Sequence, residues 1–179
     1  MKPLRRLLLA AAVAAAFTTN ILAETRIALV IGNARYADRP LTNPVNDARL
    51  MEATLVRLGF KVDRLENATL DDMTHALRAF LPKASSADVS LFYYAGHGVQ
   101  VSDRNYLIPV DNGNLELETQ LPKQALDATA HIVEALDRRG GSGKLSVVIL
   151  DACRSSKVKS SERGFTSGLA EPARKPEGM

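Results

Sequence analysis

The chain holds one cysteine and three histidines, and the cysteine and one histidine sit where chemistry tends to collect. Cys153 ends the stretch Asp151-Ala152-Cys153, directly after the apolar run Leu145 to Leu150. His97 lies in Gly96-His97-Gly98, directly after the apolar run Val89 to Ala95. Both runs read as strands, and in an open parallel sheet function gathers at the carboxyl ends of the strands. Adjacent strands lie about 4.8 Å apart. As neighbours, these two would bring a thiol and an imidazole within reach of each other. Nucleophilic thiol catalysis needs that pair: a sulfur kept partly as thiolate, and an imidazole to take or give the proton. The flanking glycines permit close approach of another backbone. The N–H of Gly98, with that of Cys153, would then supply an oxyanion hole. Read alone, Gly96-His97-Gly98 is a tight turn with a surface histidine, and a lone cysteine is a small buried hydrophobe.

Other chemistry finds little support. A single cysteine excludes an intramolecular disulfide. His75 and His131 fall within helical segments and read as ordinary. No cluster has zinc-ligand spacing, and no glycine-rich phosphate loop with its lysine at P-loop spacing is present. The acids between Asp111 and Glu118 do not match a calcium loop. No cofactor is expected, and calcium dependence stays open.

Four strands and three helices must position the pair. Arg26 to Ile31 is mostly apolar, as in a parallel-sheet strand buried on both faces. Asn43 before Pro44 reads as a helix start. Val45, Ala48, Met51, Leu55 and Leu58 then recur at spacings of three and four, and Gly59 is placed to end that helix. Phe60 to Leu65 is a second strand. Thr69 and Asp72 form a capping-box-like start, Met73, Leu77, Phe80 and Leu81 give one apolar face, and Pro82 is expected to end the helix. After the third strand, Val99 to Val101 and Tyr106 to Val110 read as a hairpin turned by residues 102 to 105. Leu126 to Arg138 reads as a helix with Ile132, Val133 and Leu136 inward. Gly140, Gly141 and Gly143 form a loop, and Leu145 to Leu150 is a fourth buried strand. This alternation implies a largely parallel sheet with helices on both faces.

The first residues belong to targeting. Lys2, Arg5 and Arg6 precede an apolar run of 11 residues, Leu7 to Phe17, and Ala16 and Ala23 are both plausible cleavage positions. This is the pattern of a secretory signal peptide over residues 1–23. The run is shorter than the roughly 20 residues a membrane span needs, and an uncleaved anchor is the alternative. Arg5-Arg6 also weakly resembles a twin-arginine signal. The protein is therefore expected to be exported, periplasmic or secreted, without a membrane attachment after cleavage. Losing those three basic residues from 23 leaves 20 against 20 acidic ones, so the net charge of +3 reports the signal. With Trp absent as well, nothing points to nucleic acid. The stretch after Cys153 is polar and basic, reading as a flexible tail over 155–179.

Phe92-Tyr93-Tyr94-Ala95-Gly96-His97-Gly98 followed by Asp151-Ala152-Cys153-Arg154 resembles the catalytic core of the caspase-like cysteine peptidases. The closer likeness is to bacterial members related to metacaspases. Ala28-Leu29-Val30-Ile31-Gly32-Asn33, Asn43-Pro44-Val45-Asn46-Asp47-Ala48 and Asn105-Tyr106-Leu107-Ile108-Pro109-Val110-Asp111 match in the family's order, covering roughly residues 26 to 154. The resemblance implies a caspase-like α/β sandwich. It implies that Cys153 attacks the scissile carbonyl and that His97 protonates the leaving amine. In the metacaspase-like branch the pocket for the substrate's P1 side chain is acidic, and the aspartates that line it correspond to Asp47 and Asp151. Two carboxylates facing one pocket favour Arg or Lys, with Arg bound bidentately. For Asp47 a favourable charge at a helix N-terminus is the simpler reading, and for Asp151 a turn or helix cap.

The resemblance implies a protein or peptide substrate. It also implies a second, smaller part after the cysteine, so a small-subunit-like C-terminal partner or association of copies is expected. Without it, the fourth strand would be an edge exposing apolar surface. Lys157, Lys159, Arg163, Arg174 and Lys175 would offer self-cleavage sites to a peptidase preferring basic residues. The alternatives are a catalytically inactive caspase-like binding or signalling module and a flavodoxin-like ligand-binding domain.

Overall fold

The computed structural model describes residues 24–101, 103–111, 115, 117–138 and 144–153, with the short strand 166–167. The signal-peptide segment, the glycine loop after Arg138 and all but two residues of the basic tail lie outside the described residues.

Strand β1 (Arg26–Gly32) is buried along nearly its whole length. It pairs in parallel with β2 (Lys61–Glu66) on one side and β3 (Val89–Val101) on the other. Strand β6 (Leu145–Cys153) adds in parallel to the far side of β3. The parallel order is thus β2-β1-β3-β6. Beyond Gly98, β3 pairs antiparallel with β4 (Arg104–Leu107), and β4 with β5 (Leu126–Asp127). A short β7 (Thr166–Ser167) meets β3 at Gln100.

Alternation along the strands gives each sheet face its own core. Ala28, Val30, Leu91, Tyr93 and Ala95 pack under helix α1 (Pro44–Arg57) through Ala48 and Leu55. Ile27, Leu29, Ile31, Phe92 and Tyr94 face helix α2 (Leu70–Ser86), together with Ile132 and Leu136. The expected α/β architecture with helices on both faces is present.

Gly32 sets how α1 meets the sheet. A Cβ there would overlap the Pro44 carbonyl and stand 2.7 Å from Ala48 Cβ. Only glycine lets the first turn of α1 lie on the carboxyl end of β1, which brings Asp47 over that end of the sheet.

Several local expectations change. Asn43 precedes α1 but makes no side-chain cap bond; Pro44 at the start and Asp47 in the first turn favour that end instead. The Thr69–Asp72 capping box forms with both of its bonds. Pro82 does not end α2, which runs on to Ser86. Burial of Phe80 before it and Ala84 after it holds the helix through the lost hydrogen bond. Leu126 and Asp127 are strand, because they pair with Leu107 and Tyr106. Asp127 Oδ1 then accepts the Ala130 N–H at 3.0 Å. The helical part is a wide turn, Thr129–Val133, running into helix α4 (Glu134–Asp137), while α3 is the short Leu121–Gln124. The fourth parallel strand is not buried on both faces: Leu145 is 46% and Ile149 37% exposed.

Candidate functional site

His97 is not in a loop after its strand. Strand β3 continues unbroken through Gly96-His97-Gly98 to Val101. In the parallel pairing of β3 with β6, Ala95 stands opposite Asp151, Gly96 opposite Ala152, and His97 opposite Cys153. The expected adjacency of the two strands is therefore present, with the histidine and the cysteine backbone as register partners.

The loop between β1 and α1 clamps the imidazole. Asn67, at φ 52°, accepts the N–H groups of Ala34 and Arg35 with its side-chain oxygen at 3.0 and 2.9 Å. Leu41 N–H closes the loop on the Ala34 carbonyl at 2.9 Å. That fold-back carries Tyr36 and Arg39 to His97. The Tyr36 ring packs on the imidazole at a centroid distance of 4.3 Å. Nε2 of His97 lies 2.8 Å from the Arg39 carbonyl oxygen.

A carbonyl only accepts, so Nε2 carries the proton. Nδ1 of the neutral ring then holds the free lone pair. It is buried and has no hydrogen-bond partner among the described residues. Burial pushes the His97 imidazole below its usual range; the Arg39 carbonyl bond opposes this and the Arg39 charge adds to it. A neutral imidazole with one nitrogen anchored keeps the lone pair of the other nitrogen available as an acceptor.

Two tyrosines hold the backbone of the same residue. Tyr36 Oη accepts the His97 N–H at 2.9 Å, and Tyr94 donates its hydroxyl to the His97 carbonyl at 2.8 Å. The two hydroxyls are 3.1 Å apart and both also reach the Ile108 carbonyl. Gly96 passes beneath them, where a Cβ would come within 2.5 Å of Tyr94 Oη and 2.6 Å of Tyr36 Oη.

The Ile108 N–H bonds the His97 carbonyl at 3.0 Å. That bond makes Gly98 and Leu107 a non-hydrogen-bonded pair, so the Gly98 N–H turns away from β4. It faces β6 instead, at the end of the parallel ladder that pairs His97 with Cys153.

Asp47 is half-buried in the first turn of α1, and Asp151 is exposed near the end of β6. The two meet at Tyr93. Its hydroxyl is pushed up to about 12, first by burial, then by the charges of Asp151 and Asp47 and by a hydrogen bond to Asp151. His75 and His131 are exposed, the first on α2 and the second in the turn Thr129–Val133. Elsewhere, a cleft of about 330 Å³ is lined by Leu65, Glu66, Asp72 and His75. Its acids are engaged, Glu66 by Arg49 and Arg64 and Asp72 by Thr69. No group of three or more metal-ligating side chains occurs among the described residues.

The sequence pointed to His97, Cys153, Gly98, Asp47 and Asp151 but not to Tyr36, Arg39, Tyr93 or Tyr94. Arg39 acts through its carbonyl, which carries no side-chain signal. Tyr36 stands in a stretch that reads only as polar loop.

A caspase-like α/β sheet with a histidine and a cysteine paired at its carboxyl edge defines a class, and the comparisons agree. The caspase domain family matches residues 25–177, and the chain belongs to that family. It is 36% identical over 98 residues to mucosa-associated lymphoid tissue lymphoma translocation protein 1 of Homo sapiens, covering 54% of this chain and 12% of that protein. The Mus musculus homolog matches to the same extent. It is 31% identical over 139 residues to caspase-1 of Sus scrofa, covering 75% of this chain and 32% of that protein. The chain thus spans at most about a third of the length of these curated relatives.

Proposed function

We propose that this chain supplies the catalytic part of an exported cysteine endopeptidase that cleaves after Arg or Lys. The observation that supports this most is the register pair His97–Cys153. In this reading His97 Nδ1 takes the proton of the Cys153 thiol, and the thiolate attacks the scissile carbonyl. The oxyanion forms at the N–H groups of Gly98 and Cys153, which leave the last rung of the β3–β6 ladder to receive it. The imidazolium returns its proton to the leaving amine, and water then releases the acyl group. Asp47 and Asp151 receive the basic P1 side chain, supported by their convergence on Tyr93. Export rests on the sequence pattern of residues 1–23 alone.

Labelling of Cys153 by an Arg-chloromethylketone, read by intact mass beside an Asp-directed analogue, tests the proposal. Labelling by the Arg reagent alone is expected; preference for the Asp reagent would overturn the acidic pocket.

One observation favours a second reading, a non-catalytic binding module. The far side of β6 has no neighbouring strand among the described residues, and Leu145 and Ile149 are exposed on one face of that strand. That reading expects no labelling by either reagent.

A further inference from the structure

Tyr93 is 4% exposed and packs with Ala48, Leu55 and Ala95 beneath α1. Asp47 immediately precedes Ala48. Asp151 is the register partner of Ala95, two residues beyond Tyr93 along β3 and so on the same sheet face. The Tyr93 hydroxyl therefore ends at the carboxyl edge between two carboxylates, and it has a single proton to give. Of the two, Asp151 bears on it more strongly, standing on the neighbouring strand of the same sheet face. A hydroxyl that only filled the core would not be aimed at two acids, and phenylalanine would fill the same space without the cost of burying a polar group.

We propose that Tyr93 is a positioning residue of the P1 pocket, its hydroxyl fixing the Asp151 carboxylate so that the pocket prefers arginine over lysine. The inference rests on the reading of Asp47 and Asp151 as the P1 pocket. A guanidinium is a planar fork whose two parallel bonds require a carboxylate held at one angle, whereas an ammonium is a point charge indifferent to that angle. Fixing Asp151 therefore rewards Arg and leaves Lys nearly unaffected. Asp47, on a different element, supplies charge to both.

The test compares alkylation rates of Cys153 by Arg- and Lys-chloromethylketones in the wild type and in Tyr93→Phe. A hydrogen bond to a charged group is worth about tenfold, so the Arg rate should fall about tenfold while the Lys rate stays within about twofold. A purely structural role would slow both reagents equally. If the wild type prefers the Arg reagent and the variant keeps the same Arg-to-Lys ratio, the Tyr93 assignment falls and the pocket stands. If the wild type prefers an Asp-directed reagent or labels with none, the pocket reading fails and the Tyr93 assignment with it. A second measurement needs no variant. With tyrosine labelled at 13Cζ, benzamidine that protects Cys153 from the Arg reagent should shift the Tyr93 resonance most among the four tyrosines. Protection without a Tyr93 shift would overturn the assignment.

Discussion

The Tyr36 hydroxyl accepts the backbone N–H of His97 at 2.9 Å while its ring lies 4.3 Å from the imidazole centroid. One side chain thus holds both the main chain and the ring of the same residue. Tyr94 completes the hold from the carbonyl side at 2.8 Å. The imidazole is therefore oriented by the β1–α1 loop as much as by its own strand.

Tyr36→Phe keeps the ring and deletes the acceptor. The His97 N–H is then buried without its partner, at a cost of about 1–3 kcal/mol. Urea unfolding should show that loss as a lower midpoint with unchanged slope. Tyr36→Ala, which also removes the ring contact, should lose more.

Gly96→Ala places a methyl within 2.6 Å of both tyrosine hydroxyls. Overpacking of this kind costs about 1–3 kcal/mol or more. Adding Tyr94→Phe removes one of the colliding oxygens and should restore part of the loss, although the ring carbon at 2.8 Å remains. Independent additive losses in a thermal-unfolding cycle would contradict the geometry, since residues in contact are expected to couple.

These contacts mark where the sequence stops being legible. The α1 stripe and the Thr69–Asp72 box could be read because their partners lie within one or two helical turns. The His97–Cys153 pairing was readable because both residues follow apolar runs, and adjacent strand ends are where such residues meet. Tyr36 and Arg39 were not, because their bonds to His97 span 61 and 58 residues. Leu126 and Asp127 read as helix until the partner strand β4 is known. Pro82 reads as a stop until the burial of Ala84 is seen. In each case tertiary pairing overrides a local signal.

Burial holds the His97 imidazole below the ordinary histidine range in the folded chain. Between that depressed value and about 6.5, the unfolded chain binds a proton that the folded chain does not. Stability should therefore rise with pH across that window, and the contribution should be lost as pH falls through the folded value. Urea midpoints measured from pH 5 to 7.5 should show this slope. His97→Gln should flatten it, and an unchanged slope in that variant would sink the assignment.

The last prediction separates the pocket from the nucleophile. Asp47 approaches from the first turn of a helix and Asp151 from the end of β6, so replacing either leaves the other's support intact. Neutral iodoacetamide needs only a reactive thiol, whereas an Arg-chloromethylketone also needs its guanidinium bound. If both acids hold that group, Asp47→Asn and Asp151→Asn should each slow the Arg reagent by about tenfold or more, because each removes one partner of a hydrogen-bonded charge pair. Iodoacetamide should remain within about twofold of wild type, and Cys153→Ala should take up neither reagent. Because both aspartates face one bound cation, the double variant should lose less than the product of the single losses. Equal slowing of both reagents by Asp151→Asn would instead place Asp151 in the activation of the thiol two residues further along the strand.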